Sequence, residues 1–474
     1  MLRVAVVGSG PSGVYTAQAL VGQSDVPGIR VDVLDRLPCP YGLVRYGVAP
    51  DHEKIKSLQG SLRTVLEDER IAFLGDVEVG TRGLTPARLL ELYHAVVYCV
   101  GAARDRRLGI PGEELRGSFS ATEFVSWYSA HPDAVHEDFG LDRAGAVVVG
   151  AGNVAVDVTR LLVRRAEELR PTDIPQDALE ALKDSAVREV HMVARRGPSA
   201  ARFTTKELRE LGALPDTEVV VDPAELALDP GYAAPDGLPA VSRRNVEVLR
   251  AWAGRAAEGS PRARAVRLRF FLRPVEILGE AGRVTAVRFE RTEPDGQGRV
   301  RGTGRYEEIP AGLVLRAVGY QGVPLPGLPF DTATGTVPHE AGRVLRDGVP
   351  SPGEYVAGWI KRGPTGVIGT NRPCAKETVA SLLADAPALA RRPIAPDPLP
   401  ELHALGHEPV PWTGWLAIER AEAALGGTLG RGPVKIPDWT GLRGAARGGP
   451  AFDAARRPGE GGLADRTREG GPIS

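Results

Sequence analysis

The chain has 474 residues and a formal net charge of -1, because 59 Lys and Arg residues nearly balance 60 Asp and Glu residues. This length predicts two or three domains, and the balanced charge argues against a general nucleic-acid-binding protein. The three cysteines, Cys39, Cys99 and Cys374, are spaced in a way that excludes a disulfide scaffold, a four-cysteine Fe–S cluster, a structural zinc site and a redox dithiol.

The N-terminus predicts a buried strand rather than a targeting segment. Residues 4–7 are an apolar run that follows Arg3 directly and leads into Gly8, with no cleavage region between them. The apolar runs of the chain are also shorter than the roughly 18 residues of a membrane helix. Few cysteines suit a reducing compartment, so we expect a cytoplasmic protein without membrane insertion.

Residues 1–36 predict a strand, a helix and a second strand in a βαβ unit. The apolar run 4–7 is typical of a parallel strand that is covered on both faces. A glycine-rich turn, GSGPSG at residues 8–13, separates it from the predicted helix, and the second strand covers residues 31–35. A lone GxGxxG can arise by chance as a turn, but the strand before it and the helix after it favour a dinucleotide-binding unit.

The residues of this turn suit a dinucleotide. Gly8 permits the tight turn, Gly10 lets the backbone approach a pyrophosphate, and Gly13 allows the helix to pack closely on the strand. Ser12 lies at the start of the helix, whose N-terminus would face the phosphates. Asp35 ends the second strand, where a carboxylate accepts hydrogen bonds from ribose hydroxyls and would repel a 2′-phosphate. Asp35 therefore suits the adenosine ribose of FAD.

A second βαβ pattern begins with the apolar run 146–149 and continues to a strand at residues 189–193. Two such units imply two nucleotide cofactors. The turn of this second unit reads Gly150, Ala151, Gly152, Asn153, Val154, Ala155.

The second unit differs from the first in the residues that follow its second strand. Arg195 and Arg196 stand near the position that Asp35 occupies in the first unit. Two guanidinium groups there would bind a 2′-phosphate through charge-assisted hydrogen bonds, although an Arg-Arg pair is often a solvated turn. The sequence thus predicts NADP(H) in the second unit, and FAD with NADPH predicts hydride transfer to the flavin.

The chain is expected to leave its first domain and return to it. Two apolar strands with similar endings, at residues 95–101 and 313–320, mark the departure and the return. We therefore predict an FAD-binding domain from residues 1–103 and 323–425, and an NADP-binding domain at residues 104–322. The glycine-rich segment 426–474 lacks hydrophobic periodicity, and we predict that it is a largely disordered tail.

Three long stretches resemble the adrenodoxin-reductase family of ferredoxin–NADP reductases, and its bacterial members in particular. They are residues 40–52 (PYGLVRYGVAPDH), residues 195–211 (RRGPSAARFTTKELREL) and residues 354–371 (EYVAGWIKRGPTGVIGTN). The resemblance covers roughly residues 3–425. It implies an α/β fold with two three-layer Rossmann-like domains, of which the NADP domain is inserted into the FAD domain. It also implies electron transfer from NADPH through FAD to a ferredoxin or a similar Fe–S carrier.

The resemblance implies further site residues. Asp35 stands where the family usually has Glu, and Gly13 where several members have Ala. Residues 152–155 are similar to the pyrophosphate turn, and the adenosine end would be held by Arg195, Arg196 and Glu207. Further flavin contacts would come from Leu43, Val79, Trp359, Gly366, Val367 and Ile368.

His52 and Glu210 also lie in stretches that resemble the family, where a pair at these positions is near the flavin and the nicotinamide. Such a pair would position the nicotinamide or adjust the local charge. The alternative is that both are ordinary surface or capping residues.

Other functions remain open from the sequence. A quinone reductase (diaphorase), the electron-input subunit of a larger enzyme and a nucleotide-sensing module all fit two nucleotide sites. A helical basic stretch would suit an acidic ferredoxin, or it is simply a solvated face. It contains Arg243, Arg244, Arg250 and Arg255.

Overall fold

Two sheets of mainly parallel strands form the framework of the protein, for which we obtained a computed structural model. The structure describes residues 1–134, 137–254 and 263–449. In chain order, the strands are β1 (Leu2–Val7), β2 (Ile29–Leu34), β3 (Ile71–Gly75), β4 (Ala95–Tyr98), β5 (Arg104–Asp105), β6 (Ser118–Ser120), β7 (Gly145–Val149), β8 (Glu189–Val193), β9 (Thr217–Val221), β10 (Arg264–Arg269), β11 (Leu272–Glu280), β12 (Arg283–Pro294), β13 (Val300–Pro310), β14 (Leu313–Arg316), β15 (Tyr320–Gln321), β16 (His339–Glu340), β17 (Arg343–Arg346), β18 (Val349–Val356) and β19 (Val410–Pro411).

Helices cover the faces of these sheets and fill the connections. In chain order they are α1 (Pro11–Val21), α2 (Leu43–Tyr46), α3 (Glu53–Lys56), α4 (Leu58–Leu66), α5 (Pro86–Leu92), α6 (Ala121–Tyr128), α7 (Asn153–Val163), α8 (Ala166–Leu169), α9 (Gln176–Lys183), α10 (Thr205–Gly212), α11 (Pro223–Ala227), α12 (Pro230–Ala233), α13 (Ala240–Ala253), α14 (Trp359–Arg362), α15 (Asn371–Leu389), α16 (Leu399–Ala404), α17 (Trp412–Thr428) and α18 (Trp439–Ala446). None of the helices in these residues is both long enough and apolar enough to cross a membrane.

The first sheet has the order β16-β17-β18-β4-β1-β2-β3-β19, and the second has the order β6-β14-β7-β8-β10-β9. Strands from before β5 and after β15 build the first sheet, whereas β6 to β10 and β14 build the second. Strands β11, β12 and β13 form a separate antiparallel sheet, and β5 pairs with β15. The expected α/β fold, with one Rossmann-like domain inserted into another, is confirmed. In both sheets the strand order reverses beside the first strand of the βαβ unit, at β1 and at β7, and ligands of such folds bind at this point.

The residues of β1 and β7 explain why these strands lie in the middle of their sheets. Val4, Ala5 and Val6 of β1 are fully buried, as are Ala146 to Val148 of β7. Continuous apolar runs of this kind are stable only when both faces of the strand are covered. Helices α1 and α15 pack on one face of the first sheet and bury β1 there.

The prediction of a largely disordered tail is wrong for residues 426–449. Helix α17 extends to Thr428, α18 follows at Trp439, and the side chains of Val434, Ile436 and Leu442 are buried between and beneath these helices. This segment is ordered although it has few apolar residues, because each of these three side chains packs into the core of the first domain. Residues 450–474 of the predicted tail lie outside the described part of the chain.

Residues 429–449, which we call the C-terminal strap, join the two domains. Arg431 donates to the carbonyl oxygens of residues 170, 172 and 174 in the inserted domain, at 2.9, 3.2 and 2.8 Å. Lys435 contacts Asp173 at 3.1 Å, and the Trp439 indole N–H donates to Asp133 at 2.8 Å. The strap is therefore covalently continuous with the first domain and makes polar contacts with the second.

Candidate functional site

The first glycine-rich turn leaves open space at only one of its three fingerprint glycines. A Cβ on Gly8 would lie 2.6 Å from the Cys99 carbonyl oxygen, and one on Gly13 would lie 1.8 Å from the Gly8 carbonyl oxygen. At Gly10, in contrast, the nearest atom to a Cβ would be the Cα of Gly42, at 3.8 Å. Packing thus requires Gly8 and Gly13, whereas the space at Gly10 allows a ligand to approach the backbone.

The N-terminus of α1 has the features of a phosphate-binding site. Its N-cap residue, Gly10, supplies no side-chain cap for the free N–H groups of the first turn. The Ser12 hydroxyl is buried and has no hydrogen-bond partner among the described residues. Free N–H groups and the positive end of the helix dipole favour an anion here, so the site fits the pyrophosphate of FAD.

Asp35 follows β2 and is held by its neighbours. Its Oδ2 accepts hydrogen bonds from the Ser9 N–H at 2.7 Å and the Ser9 hydroxyl at 2.5 Å, and its Oδ1 accepts one from the Leu37 N–H at 2.9 Å. Burial raises the pKa of Asp35, against the effect of these hydrogen bonds. The position at the end of β2 is the expected one, and the contact with ribose stays a prediction.

The residues expected against the flavin ring fall into two groups. Leu43 and Val367 are exposed apolar side chains, 38% and 70% accessible, on α2 and before α15. Trp359 is half-buried, and its ring lies 5.3 Å from the ring of Tyr320. Val79 is instead buried in the core of the first domain.

The turn before α15 is shaped by a glycine. Gly366 has φ +83°, and a Cβ there would lie 2.6 Å from the Thr370 hydroxyl oxygen. The same hydroxyl accepts a hydrogen bond from the Val367 N–H, at 3.1 Å, so Val367 is held in its exposed position. Ile368 follows and packs partly against the core of the first domain. An aromatic ring stacked here would cover the exposed apolar surface of Val367.

The second glycine-rich turn, like the first, has one closely packed glycine and one open glycine. Gly150 lies against the Ala317 carbonyl oxygen, 2.3 Å from where its Cβ would be, whereas nothing lies within 4 Å of a Cβ on Gly152. Gly152 is also the N-cap of α7 and leaves the first turn without a side-chain cap. Asn153 accepts a hydrogen bond from the Thr204 N–H at 2.8 Å, which fixes the start of α10. Val154 and Ala155, at the start of α7, pack into the core of the inserted domain.

Arg195 and Arg196 follow the end of β8. Within residues 1–134, 137–254 and 263–449, no carboxylate pairs with either guanidinium, and Arg195 is exposed. Nearby Arg269, in contrast, is paired with Glu225 at 2.8 Å. Two unpaired guanidinium groups at this strand end fit a 2′-phosphate.

His52, Glu207 and Glu210 are brought together at the boundary between the domains. The Nε2 atom of His52 lies 3.3 Å from Glu210 Oε2 and 3.5 Å from Glu207 Oε2. The expected pairing of His52 with Glu210 thus agrees with the geometry. Glu207 is expected at the adenosine end with Arg195 and Arg196, but its buried carboxylate faces His52 from the same side of α10 as Glu210.

Charged residues on α7, which the sequence analysis did not select, complete this cluster. Arg160 donates to Asp157 at 2.9 Å and to Glu210 at 3.1 Å, and Asp157 lies 3.5 Å from His52. Arg160 and Arg164 also both contact Asp51 of the first domain. The spacing of positions 157 and 160 places them on one face of α7, which was the available signal, and Arg164 follows the end of this helix.

Burial governs the ionisation of the cluster. Burial and the Arg160 guanidinium lower the pKa of His52 to about 4, although Asp51 and Glu210 act in the opposite direction. Burial also raises the pKa of Asp157 to about 8, against the effect of Arg160, and raises that of Glu207. Although His52, Glu207 and Glu210 are close enough to bind a metal ion, the Arg160 guanidinium beside them would repel one.

The three cysteines are buried, unpaired thiols. Burial raises the pKa of Cys39 to about 11 and that of Cys99 to about 12, so both are protonated at neutral pH. Cys374 accepts a hydrogen bond from the Gly358 N–H at 3.3 Å. Neither Cys39 nor Cys99 has the low pKa of a redox-active thiol, and all three thiols lack its exposure.

Comparisons with known proteins agree with this geometry. A family model described as "Pyridine nucleotide-disulphide oxidoreductase" matches residues 2–212. The chain is 46% identical over 450 residues to NADPH-ferredoxin reductase FprA of Mycobacterium tuberculosis, which covers 91% of this chain and 96% of the relative. It is 38% identical over 464 residues to a mitochondrial NADPH:adrenodoxin oxidoreductase of Arabidopsis thaliana, with 94% and 95% covered. The solved structure of Mycobacterium tuberculosis FprA in complex with NADPH matches with a TM-score of 0.87 and 44% identity, over 94% of this chain and 99% of that one.

Proposed function

The chain belongs to the family of NADPH-ferredoxin and adrenodoxin reductases, and we propose that it transfers electrons from NADPH through bound FAD to a ferredoxin. The observation that carries this proposal is the difference between its two dinucleotide sites. The first ends in a half-buried carboxylate, Asp35, and the second in two guanidinium groups, of Arg195 and Arg196, that have no carboxylate partner in the described part of the chain. A carboxylate suits the ribose of FAD, and guanidinium groups suit the 2′-phosphate of NADPH.

In the first domain, FAD would lie with its pyrophosphate on the N-terminus of α1 and its ring against exposed apolar residues. The open backbone at Gly10 and the free Ser12 hydroxyl support the first contact. Leu43 and Val367 support the second, because their exposed surfaces would be covered by an aromatic ring. Bound FAD accepts a hydride and passes electrons on singly, which supplies the redox chemistry that the side chains lack.

In the inserted domain, the open turn at Gly152 would hold the pyrophosphate of NADPH. The nicotinamide would then extend toward the boundary between the domains, where His52 and Glu210 lie. These two residues offer hydrogen-bonding groups to the carboxamide and the ribose, and they need not carry a proton in the reaction because the hydride moves directly to the flavin. We propose that both residues position the nicotinamide.

The acceptor would be a separate protein that takes one electron at a time. All three thiols are buried and unpaired, so they do not provide a dithiol relay. Arg243, Arg244 and Arg250 are exposed along α13, which would favour encounter with an acidic ferredoxin. Arg255, the fourth residue of the predicted basic stretch, lies outside the described residues.

The purified protein tests this function directly. It should be yellow, release FAD rather than FMN on heat or acid treatment, and have a flavin that NADPH reduces. It should then reduce cytochrome c through a [2Fe–2S] ferredoxin, with a rate that falls steeply with ionic strength, whereas ferricyanide reduction should be less sensitive because it requires no protein docking. Faster turnover with quinones than with every ferredoxin would favour the quinone reductase instead. A colourless protein that binds nucleotides without redox change would favour the sensor.

We propose further that the protein is cytoplasmic. Its thiols are unpaired, which suits a reducing compartment. Fractionation of cells that express the natural chain, followed by an immunoblot with a cytoplasmic marker as control, tests this location.

A further inference from the structure

Arg160 lies at the boundary between the domains, and it is only 3% exposed. It belongs to α7 of the inserted domain, yet it contacts Asp51 and His52 of the first domain at 3.1 and 2.5 Å. It also holds Asp157 and Glu210. A side chain that touches both domains and His52 at once is placed to influence the group next to the nicotinamide.

The contact with His52 restricts the protonation of the imidazole. A guanidinium has only donors, so the Nε2 atom of His52 must accept the hydrogen bond from Arg160 Nη2. An imidazole that accepts at Nε2 is neutral and carries its proton on Nδ1. The hydrogen-bond contact of the His52 ring among the described residues is the one at Nε2, so the N–H at Nδ1 can donate to a ligand.

The carboxyl groups around His52 favour its charged form when they are ionised, although burial raises the pKa of Asp157 to about 8 and also raises that of Glu207. Glu207, Glu210 and Asp157 all place an oxygen within 3.5 Å of the same Nε2 atom. Asp51 adds a fourth carboxylate from the same loop, and Lys206 on α10 is the other cation that acts on the imidazole. Carboxylates at this distance stabilise a protonated imidazole unless a cation occupies the space between them. Arg160 is that cation.

We propose that Arg160 is a positioning residue that keeps His52 uncharged, with its proton on Nδ1, so that the histidine offers a neutral donor to the nicotinamide. This inference rests on the proposed function. A neutral imidazole suits both redox forms of the coenzyme, because the oxidised nicotinamide ring is itself positively charged and would be repelled by an imidazolium.

The test follows the ionisation of His52 by NMR in protein labelled at its eight histidines, with His52 assigned from the spectrum of H52Q. The wild-type His52 signal should not titrate between about pH 5.5 and 8.5, consistent with a pKa of about 4. In R160Q, the midpoint should rise into this range, because the Arg160 charge no longer adds to the effect of burial. R160K, which keeps the cation, should behave like the wild type.

R164Q is the matched control, because Arg164 follows the same helix and pairs with the same Asp51 but does not contact His52. It should shift the His52 midpoint much less than R160Q does. In rate measurements, R160Q should show a new ionisation near neutral pH in kcat/KM for NADPH, and R160Q/H52Q should lose it.

Two outcomes would overturn the proposal: a wild-type His52 that titrates near neutral pH, or a folded R160Q in which His52 stays uncharged throughout the range. The first can be observed even if R160Q does not fold. Because the NMR titration needs no turnover, it also separates this inference from a failure of the proposed function, which would appear as a flavin that NADPH does not reduce.

Discussion

Glu422 offers the sharpest test of how α17 holds α2, whose first residue, Leu43, is proposed to contact the flavin. Its carboxylate forms two hydrogen bonds with Arg45, at 2.5 and 3.1 Å, and accepts a third from the Ile436 N–H at 3.0 Å. The side chains of Glu422 and Arg45 are 6% and 4% exposed. Arg45 lies two residues after Leu43, so this buried pair ties α2 to α17 and to the C-terminal strap.

The change E422Q should destabilise the first domain strongly. Glutamine keeps the shape and the hydrogen bond to Ile436 but leaves the Arg45 charge buried without a counter-ion. Breaking a buried pair in this way costs about 3–5 kcal/mol. For a domain of this size, about 2–4 °C of melting temperature is lost per kcal/mol, so the expected decrease is about 6–20 °C.

The same helix supplies the control. Glu419 pairs with Arg63 at 3.0 Å, but these side chains are 32% and 40% exposed. E419Q should therefore cost less than about 1 kcal/mol. Thermal unfolding of both holoenzymes, followed by circular dichroism and by the fluorescence of released flavin, measures the difference. If E422Q melts within a degree or two of E419Q, the buried pair is not what holds α2. Replacement of both partners, in R45M/E422M, should recover much of the loss, because no unpaired charge then remains.

Three further predictions concern the coenzyme, the strap and the thiols. R196A should raise the KM for NADPH about 10- to 100-fold, since one charged hydrogen bond contributes about 1.5–3 kcal/mol. The KM for NADH should stay nearly unchanged. An equal rise in KM for both coenzymes would mean that Arg196 is structural. Burial raises the pKa of Asp173, but Lys435 and Lys56 outweigh this effect and lower the pKa from 3.8 to about 2. The ionised carboxylate therefore stabilises the folded state above pH 3.8, and this contribution should be lost as the pH falls to about 2. Acid unfolding of D173N should depend less on pH in that interval, and a curve identical to that of the wild type would contradict the role of Asp173. The triple variant C39S/C99S/C374S, if folded, should keep both NADPH-dependent flavin reduction and electron transfer to ferredoxin; a folded variant that reduces its flavin but passes no electrons would reveal a cysteine relay.

The sequence predicted those parts of the protein whose signals are local. Apolar runs that lead into glycine-rich turns identified β1 and β7, and β8, the second strand of the second βαβ unit, has the predicted bounds. The three roles assigned to Gly8, Gly10 and Gly13 also correspond to measurable distances. Such signals are readable because the backbone conformation at a glycine and the burial of a strand depend on residues that are adjacent in the chain.

The strap could not be predicted in this way. Its buried residues Val434, Ile436 and Leu442 lie among glycines and show neither helical nor strand periodicity. They are ordered because they meet a surface that other parts of the chain provide, and because Arg431 finds carbonyl oxygens about 260 residues away, at positions 170 to 174. Composition describes the segment alone, whereas its stability comes from long-range contacts.

The difference between local signals and long-range contacts also explains why only part of the candidate site could be predicted from the sequence. Hydride transfer requires reacting atoms about 3–3.5 Å apart, yet the two cofactors would be held by separate sheets. The alignment must therefore come from contacts between the domains, and the structure provides two sets. One is the ionic cluster around Arg160, which joins α7 to Asp51 and His52, and the other is the strap through Arg431. Each cofactor site can be recognised within its own βαβ unit, but the residues that bring the two sites together are charges distant in sequence, whose partners become known only from the folded structure.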